Sequence, residues 1–246
     1  MAGKYIIVFM LSSLLVFAKK PLIFYCGATM VPAMKKIAAR YTHQTGRPIT
    51  IIQGGSGALL STLASDREAD LYLPGHPRFI RSDIFDRRYR LGSMRLAIFA
   101  REGITDAPRS LDDLIHPTIR IALGCIDLGS IGKQTRDYLI RHKNENFYAQ
   151  VMLQSLYCAV DSRDLVELYL HGHIDVGIIW KPALQRIATK YAPKILALKA
   201  DADEATPLIL AIVHGSRRHK AAEAFATYVS GQEGQAILLQ EGFDVP

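Results

Sequence analysis

Three times along this chain an apolar run of strand length ends in a turn of small residues that opens a helical repeat, and this recurrence constrains the fold most. PLIFYC (Pro21–Cys26) runs into Gly27-Ala28-Thr29, after which Met30, Met34, Ile37, Ala38 and Tyr41 recur at spacings of three and four. Gly46 and Pro48 end that helix, and PITIIQ (Pro48–Gln53) reads as the next strand. Gly54-Gly55-Ser56-Gly57 then opens a helix through Leu59, Leu60, Leu63 and Ala64, and DLYL (Asp70–Leu73) is a third strand closed by Pro74-Gly75. Strands and helices alternating at this spacing predict right-handed βαβ units and a parallel sheet.

The second half repeats the theme. Arg95–Ala100 and Arg120–Leu123 read as strands, and Gly129-Ser130-Ile131-Gly132 precedes a helix holding Tyr138 and Leu139. A helix near Phe147–Leu156, a short Val160-Asp161-Ser162 step and a helix over Arg163–His171 follow. Val176–Trp180 and Thr206–His214 are the remaining strands, and Lys220–Tyr228 and Gly234–Gln240 the closing helices. The fold class is α/β, and 246 residues hold two lobes of roughly 100 residues each.

The first 18 residues differ from the rest. Lys4 is the only charge before an apolar run from Tyr5 to Ala18, interrupted by Ser12 and Ser13. That run is short for a membrane span and suits the apolar core of a signal peptide, with cleavage expected after Ala18. Residues 1–18 therefore predict export to the periplasm. Cys26, Cys125 and Cys158 have no metal-ligand spacing. In an oxidising compartment one pair can bridge and the odd count leaves one thiol over; all three are expected to be buried small residues.

A net charge of +7 is scattered in clusters such as Arg87-Arg88-Tyr89-Arg90 and Arg217-Arg218-His219-Lys220. With no zinc spacing, RNA-binding signature or helix-turn-helix beside it, this charge predicts solvated faces and a mild attraction for anions, and no nucleic acid partner. His171-Gly172-His173 is expected as a turn, with no cationic metal site, and Asp112-Asp113 in the first turn of a short helix.

The chemistry lies in the small-residue turns. The first turn of a helix leaves N–H groups unpaired and carries the positive end of the helix dipole, so it receives an anion, and a hydroxyl such as Thr29 or Ser56 adds a donor. The Gly54 turn lacks the ending of a nucleoside-triphosphate loop and the glycine spacing of a dinucleotide fingerprint. Ala58 stands where the nucleophile elbow requires its final glycine.

The order of motifs resembles the periplasmic molybdate-binding proteins of ABC importers, over about Leu22 to Val245. The similarity rests on Cys26-Gly27-Ala28-Thr29-Met30, Gly54-Gly55-Ser56-Gly57-Ala58-Leu59, Ala69–Leu73, Asp175–Trp180 and Glu241-Gly242-Phe243. It implies a two-lobed type II periplasmic-binding-protein fold with mixed sheets, a ligand cleft, and crossings near Ile98 and Ala211. Lobe one would then comprise 19–98 and 211–246, and lobe two 99–210. It also implies a non-enzymatic monomer without a cofactor that captures molybdate or tungstate and delivers it to an ABC permease. Matched motif by motif, the ligand-binding residues are Thr29, Ser56, Ile131, Ser162 and Trp180. The two hydroxyls fall on Thr29 and Ser56, and backbone amides on Thr29, Ser56, Ile131 and Ser162. Trp180 stands where the family has tyrosine, and Pro74-Gly75-His76 where it has Ser-Ala-Asp. A His76 facing the cleft would add positive charge at mildly acidic pH.

A pocket of donors alone satisfies an unprotonated oxyanion but leaves the proton of phosphate unpaired, at a cost of about 1–3 kcal/mol. Sulfate must be excluded by size, and Asp127 or Asp161 in the cleft would favour phosphate. The alternatives are a binding protein for another oxyanion (phosphate, sulfate) or a small organic anion, and an enzyme or sensor on the same bilobal fold.

Overall fold

The computed structural model describes residues 19–66, 68–104, 106–184, 187, 194–196 and 205–246. The segment expected as a signal peptide, residues 1–18, lies outside the described residues. Among the described residues no helix is long and apolar enough to cross a membrane.

In the first lobe β1 (Leu22–Gly27), β2 (Ile49–Gly54) and β3 (Leu71–Leu73) run parallel, with β1 between the other two. The helices between them are α1 (Val31–Thr45) and α2 (Ser56–Asp66). α1 has Pro32 in its first turn, where a missing N–H would have no intrahelical partner anyway. It stops at Gly46, left-handed at φ 66°, whose N–H returns to Thr42 O. Its buried face, Met34, Ile37, Ala38 and Tyr41, carries the spacing read from the sequence. Phe24 and Tyr41 both meet Phe225 edge-on, tying sheet and helix to the C-terminal segment.

Two strands make this sheet mixed. β10 (Thr206–Val213) returns antiparallel to β3, and the edge strand β4 (Phe85–Met94) pairs antiparallel with β10, giving the order β2-β1-β3-β10-β4. β4 was not anticipated. Asp86, Arg87, Arg88 and Arg90 mask its strand pattern, and as an edge strand it can keep them in water, where charges also discourage edge pairing.

The second lobe contains β5 (Leu96–Ala100), β6 (Ile121–Gly124), β7 (Cys158–Ala159), β8 (Val176–Trp180) and β9 (Lys194–Leu196), in the order β7-β6-β8-β5-β9. α3 (Ser130–His142), α4 (Glu145–Gln154) and α5 (Ser162–Leu170) flank it, and Ile98, Ile121, Leu139, Val176 and Ile178 fill part of its core. Ile98 is the middle residue of β5, and Ala211 pairs with Tyr72 and Arg88 in the first sheet. The chain therefore changes sheets at Arg95 and again between Leu196 and Thr206. α6 (His219–Ser230) and α7 (Gln232–Gln240) close the first lobe, and Asp244 bridges back to Ser93 beside the outward crossing.

The expectation of three buried cysteines holds only for Cys26. Cys125, half-buried, and Cys158, exposed, form a disulfide with their Cα atoms 4.9 Å apart. Spacing could not reveal this pair, because β6 and β7 bring the residues together from 33 positions apart.

Candidate anion site

Each small-residue turn follows a strand whose C-terminal end faces the gap between the lobes. Four helix starts converge there: a 3-10 turn (Ala28–Met30) that runs into α1, and the first residues of α2, α3 and α5. Convergence places several unpaired backbone N–H groups and positive dipole ends around one point. The space between them is small, and through Ala28, Thr29 and Ser162 it adjoins a wider groove bordered by Lys35, Gln53, Arg163 and Glu167. All five residues named from the sequence line the small space, namely Thr29, Ser56, Ile131, Ser162 and Trp180.

The hydroxyls of Ser56 and Ser130 are held in the same way. Ser56 Oγ accepts a 2.9 Å hydrogen bond from Gly75 N, and the Ser56 carbonyl accepts one from Tyr72 Oη at 2.7 Å. Ser130 Oγ accepts from Trp180 Nε1 at 3.2 Å. A serine oxygen that already receives an N–H keeps its own proton to donate elsewhere. Ser162, at the start of α5 and 1% exposed, has no hydrogen-bond partner for Oγ at all. A buried hydroxyl without a partner costs about 1–3 kcal/mol, so one at a cavity wall calls for an acceptor in the cavity.

The lobes are shut on one another here. A Cβ on Gly55, in the first lobe, would stand 2.6 Å from Leu128 O in the second, and one on Gly75 would stand 2.1 Å from Ser130 Oγ. Only the missing side chains permit these approaches. The sequence marks Gly129-Ser130 as a helix-opening turn and Gly75 as a strand stop, but carries no signal for these roles. Their contacts are visible only once the two lobes face each other.

Asp161 reaches the cavity wall, yet its carboxylate is turned onto its own helix. Oδ1 accepts from Arg163 N at 2.7 Å, and Oδ2 from Arg163 Nη2 at 2.7 Å. It is the N-cap of α5, paired with a cation, and Asp127 is exposed on the loop before α3. Among the described residues lining the cavity Asp161 is the only carboxylate.

His76 behaves differently from the expectation of added positive charge at mildly acidic pH. Burial, reinforced by the Arg78 cation, lowers its pKa from the ordinary 6.5 to about 4, and its Nδ1 accepts a hydrogen bond from Arg78 N. An imidazole accepting at Nδ1 beside a guanidinium stays neutral. Arg78 itself is a fixed positive charge near the cavity, with Nη2 3.5 Å from Ser130 O. Trp180 also departs from a simple donor, because Ser130 engages its single N–H and the ring, 1% exposed, serves as a wall.

A model of the family described as bacterial extracellular solute-binding protein matches residues 22–244. A Haemophilus influenzae protein described as a binding protein is 20% identical over 223 residues, covering 89% of each chain. Among solved structures, the periplasmic molybdate-binding protein of Azotobacter vinelandii superposes with a TM-score of 0.77 at 15% identity, covering 92% of this chain and 99% of that one. The sulfate-binding protein SubI from Mycobacterium tuberculosis gives 0.78 at 16% identity, covering 91% and 86%. Iron-bound HitA from Pseudomonas aeruginosa gives 0.67 at 17%, covering 92% and 88%. At such identities these structures establish the two-lobed fold, which different ligands share.

Proposed function

We propose that this chain, which belongs to the bacterial extracellular solute-binding protein family, captures molybdate or tungstate between its lobes and delivers it to an ABC permease. The observation that carries this reading is Ser162 Oγ, buried without a partner where four helix starts meet. Ser56 and Ser130 support it, since both oxygens are held by N–H groups and both protons remain free to donate. Backbone amides at Thr29, Ser56, Ile131 and Ser162 complete a shell of donors at helix N-termini, the arrangement suited to an oxyanion.

One feature favours an unprotonated anion. The carboxylate of Asp161 is engaged by Arg163, so a phosphate proton would find no free carboxylate to accept it, at a cost of about 1–3 kcal/mol. Selection against sulfate falls to the size of the space bounded by Met30 and Trp180. The anion bonds both lobes, so it binds the closed form preferentially and shifts the population toward it. Closure would present the loaded protein to the permease.

Calorimetric titration of residues 19–246 with molybdate, tungstate, sulfate and phosphate tests the assignment. Molybdate and tungstate should bind tightly, with sulfate and phosphate at least tenfold weaker. A preference for sulfate would reassign the ligand and keep the donor shell, whereas a preference for phosphate would contradict the reading of Asp161.

A further inference from the structure

We infer that the Cys125–Cys158 disulfide is a positioning device for the second-lobe half of the anion site, so that anion affinity depends on the redox state of this bond. The inference rests on the proposed anion site. Cys125 follows the last residue of β6 and stands five residues before Ser130, while Cys158 begins β7 and stands four before Ser162. The bond therefore ties together the roots of the two loops that deliver both second-lobe hydroxyls. Cys125 N also donates to Ala159 O at 2.8 Å.

Further along, the two loops touch where no side chain fits. A Cβ on Gly129 would stand 2.3 Å from Val160 O, so the start of α3 is set against the chain entering α5. β7 has only two residues and lies at the edge of its sheet, so its ladder gives this strand few hydrogen bonds. A covalent link removes freedom that weak pairing leaves, and ordering freedom lost on binding subtracts from affinity. Cys158 is exposed, so a dithiol reductant can reach the bond. Reduction transfers two electrons and two protons to the cystine sulfurs, gives two thiols, and leaves the reductant as its own cyclic disulfide.

The test compares the oxidised protein with two thiol forms, the dithiothreitol-treated protein and the Cys125→Ser/Cys158→Ser variant, at a temperature where circular dichroism shows the native fold. Molybdate affinity should fall at least tenfold in the thiol forms. Without ligand, amide exchange should quicken at Ser130–Gly132 and Ser162–Asp164 while the core strands β1 and β8 keep their protection. Equal molybdate affinity in a folded thiol form overturns the inference, as does unchanged exchange in both loops. Loss of the native spectrum in both thiol forms also overturns it, because the bond would then serve the whole fold. Failure of the oxidised protein to bind any of the four oxyanions would count against the ligand assignment instead, and the exchange measurement would still judge the disulfide.

Discussion

Replacing Ser162 with alanine should move affinity and stability in opposite directions. With the lobes closed, Ser162 is 1% exposed and its Oγ has no partner, so closure without an anion carries a desolvated hydroxyl. Removing it should relieve part of a penalty of about 1–3 kcal/mol. For a chain of this size each kcal/mol corresponds to roughly 2–4 °C in Tm. In the complex the same hydroxyl donates to a dianion, and a hydrogen bond to a charged group contributes about 1.5–3 kcal/mol. Ser162→Ala should then weaken molybdate binding roughly ten- to hundredfold, while the Tm of the ligand-free protein holds or rises by a few degrees. Titration calorimetry reads the first quantity and scanning calorimetry without ligand the second. Thr135→Val is the matched control, since Thr135 Oγ1 is also buried without a partner but does not line the cavity. It should raise Tm and leave affinity alone. Unchanged affinity in Ser162→Ala would refute the reasoning, and so would a loss of affinity accompanied by an equal loss of stability.

Other consequences follow from the same geometry. Gly55→Ala sets a methyl 2.6 Å from Leu128 O across the cleft; small-angle scattering should show a protein that no longer compacts with molybdate, at unchanged ligand-free Tm. Trp180→Phe removes the N–H that holds Ser130 Oγ, and calorimetry should show molybdate binding weakened several-fold with phosphate still excluded. His76 should titrate near pH 4 by NMR, so affinity should stay flat from pH 8 to pH 5. Its folded pKa lies below the unfolded 6.5, so between those values the unfolded chain binds a proton that the native chain does not. Stability should therefore fall as pH drops from about 6.5 toward 4, and denaturant titrations of His76→Asn should show less of that fall.

The parts of this molecule legible in the sequence are those set by local chemistry. β8 falls on Val176–Trp180 as read, and α1 begins one residue after Met30, because strand runs and helical spacing are properties of neighbours in the chain. The five residues that the motif match named lie around one cavity, because a strand end followed by a helix start fixes where each turn points. Contacts between distant segments were not legible. The arginines of β4 hide a strand whose place depends on β10, more than a hundred residues later. The partner of Cys125 depends on the register of β6 with β7. Two nearby contacts were hidden for another reason, since the Asp161 carboxylate turns with the rotamer of Arg163 and His76 stays neutral through burial beside Arg78.

The approach of Gly75 to Ser130 has a consequence for how such a protein can change its ligand. Ser130 is held on one side by Trp180 and crowded on the other by a residue of the opposite lobe that has no side chain. A methyl at position 75 would displace the hydroxyl that the indole holds, so the choice of residue at 75 restricts the choice at 180 although the two sit on different lobes.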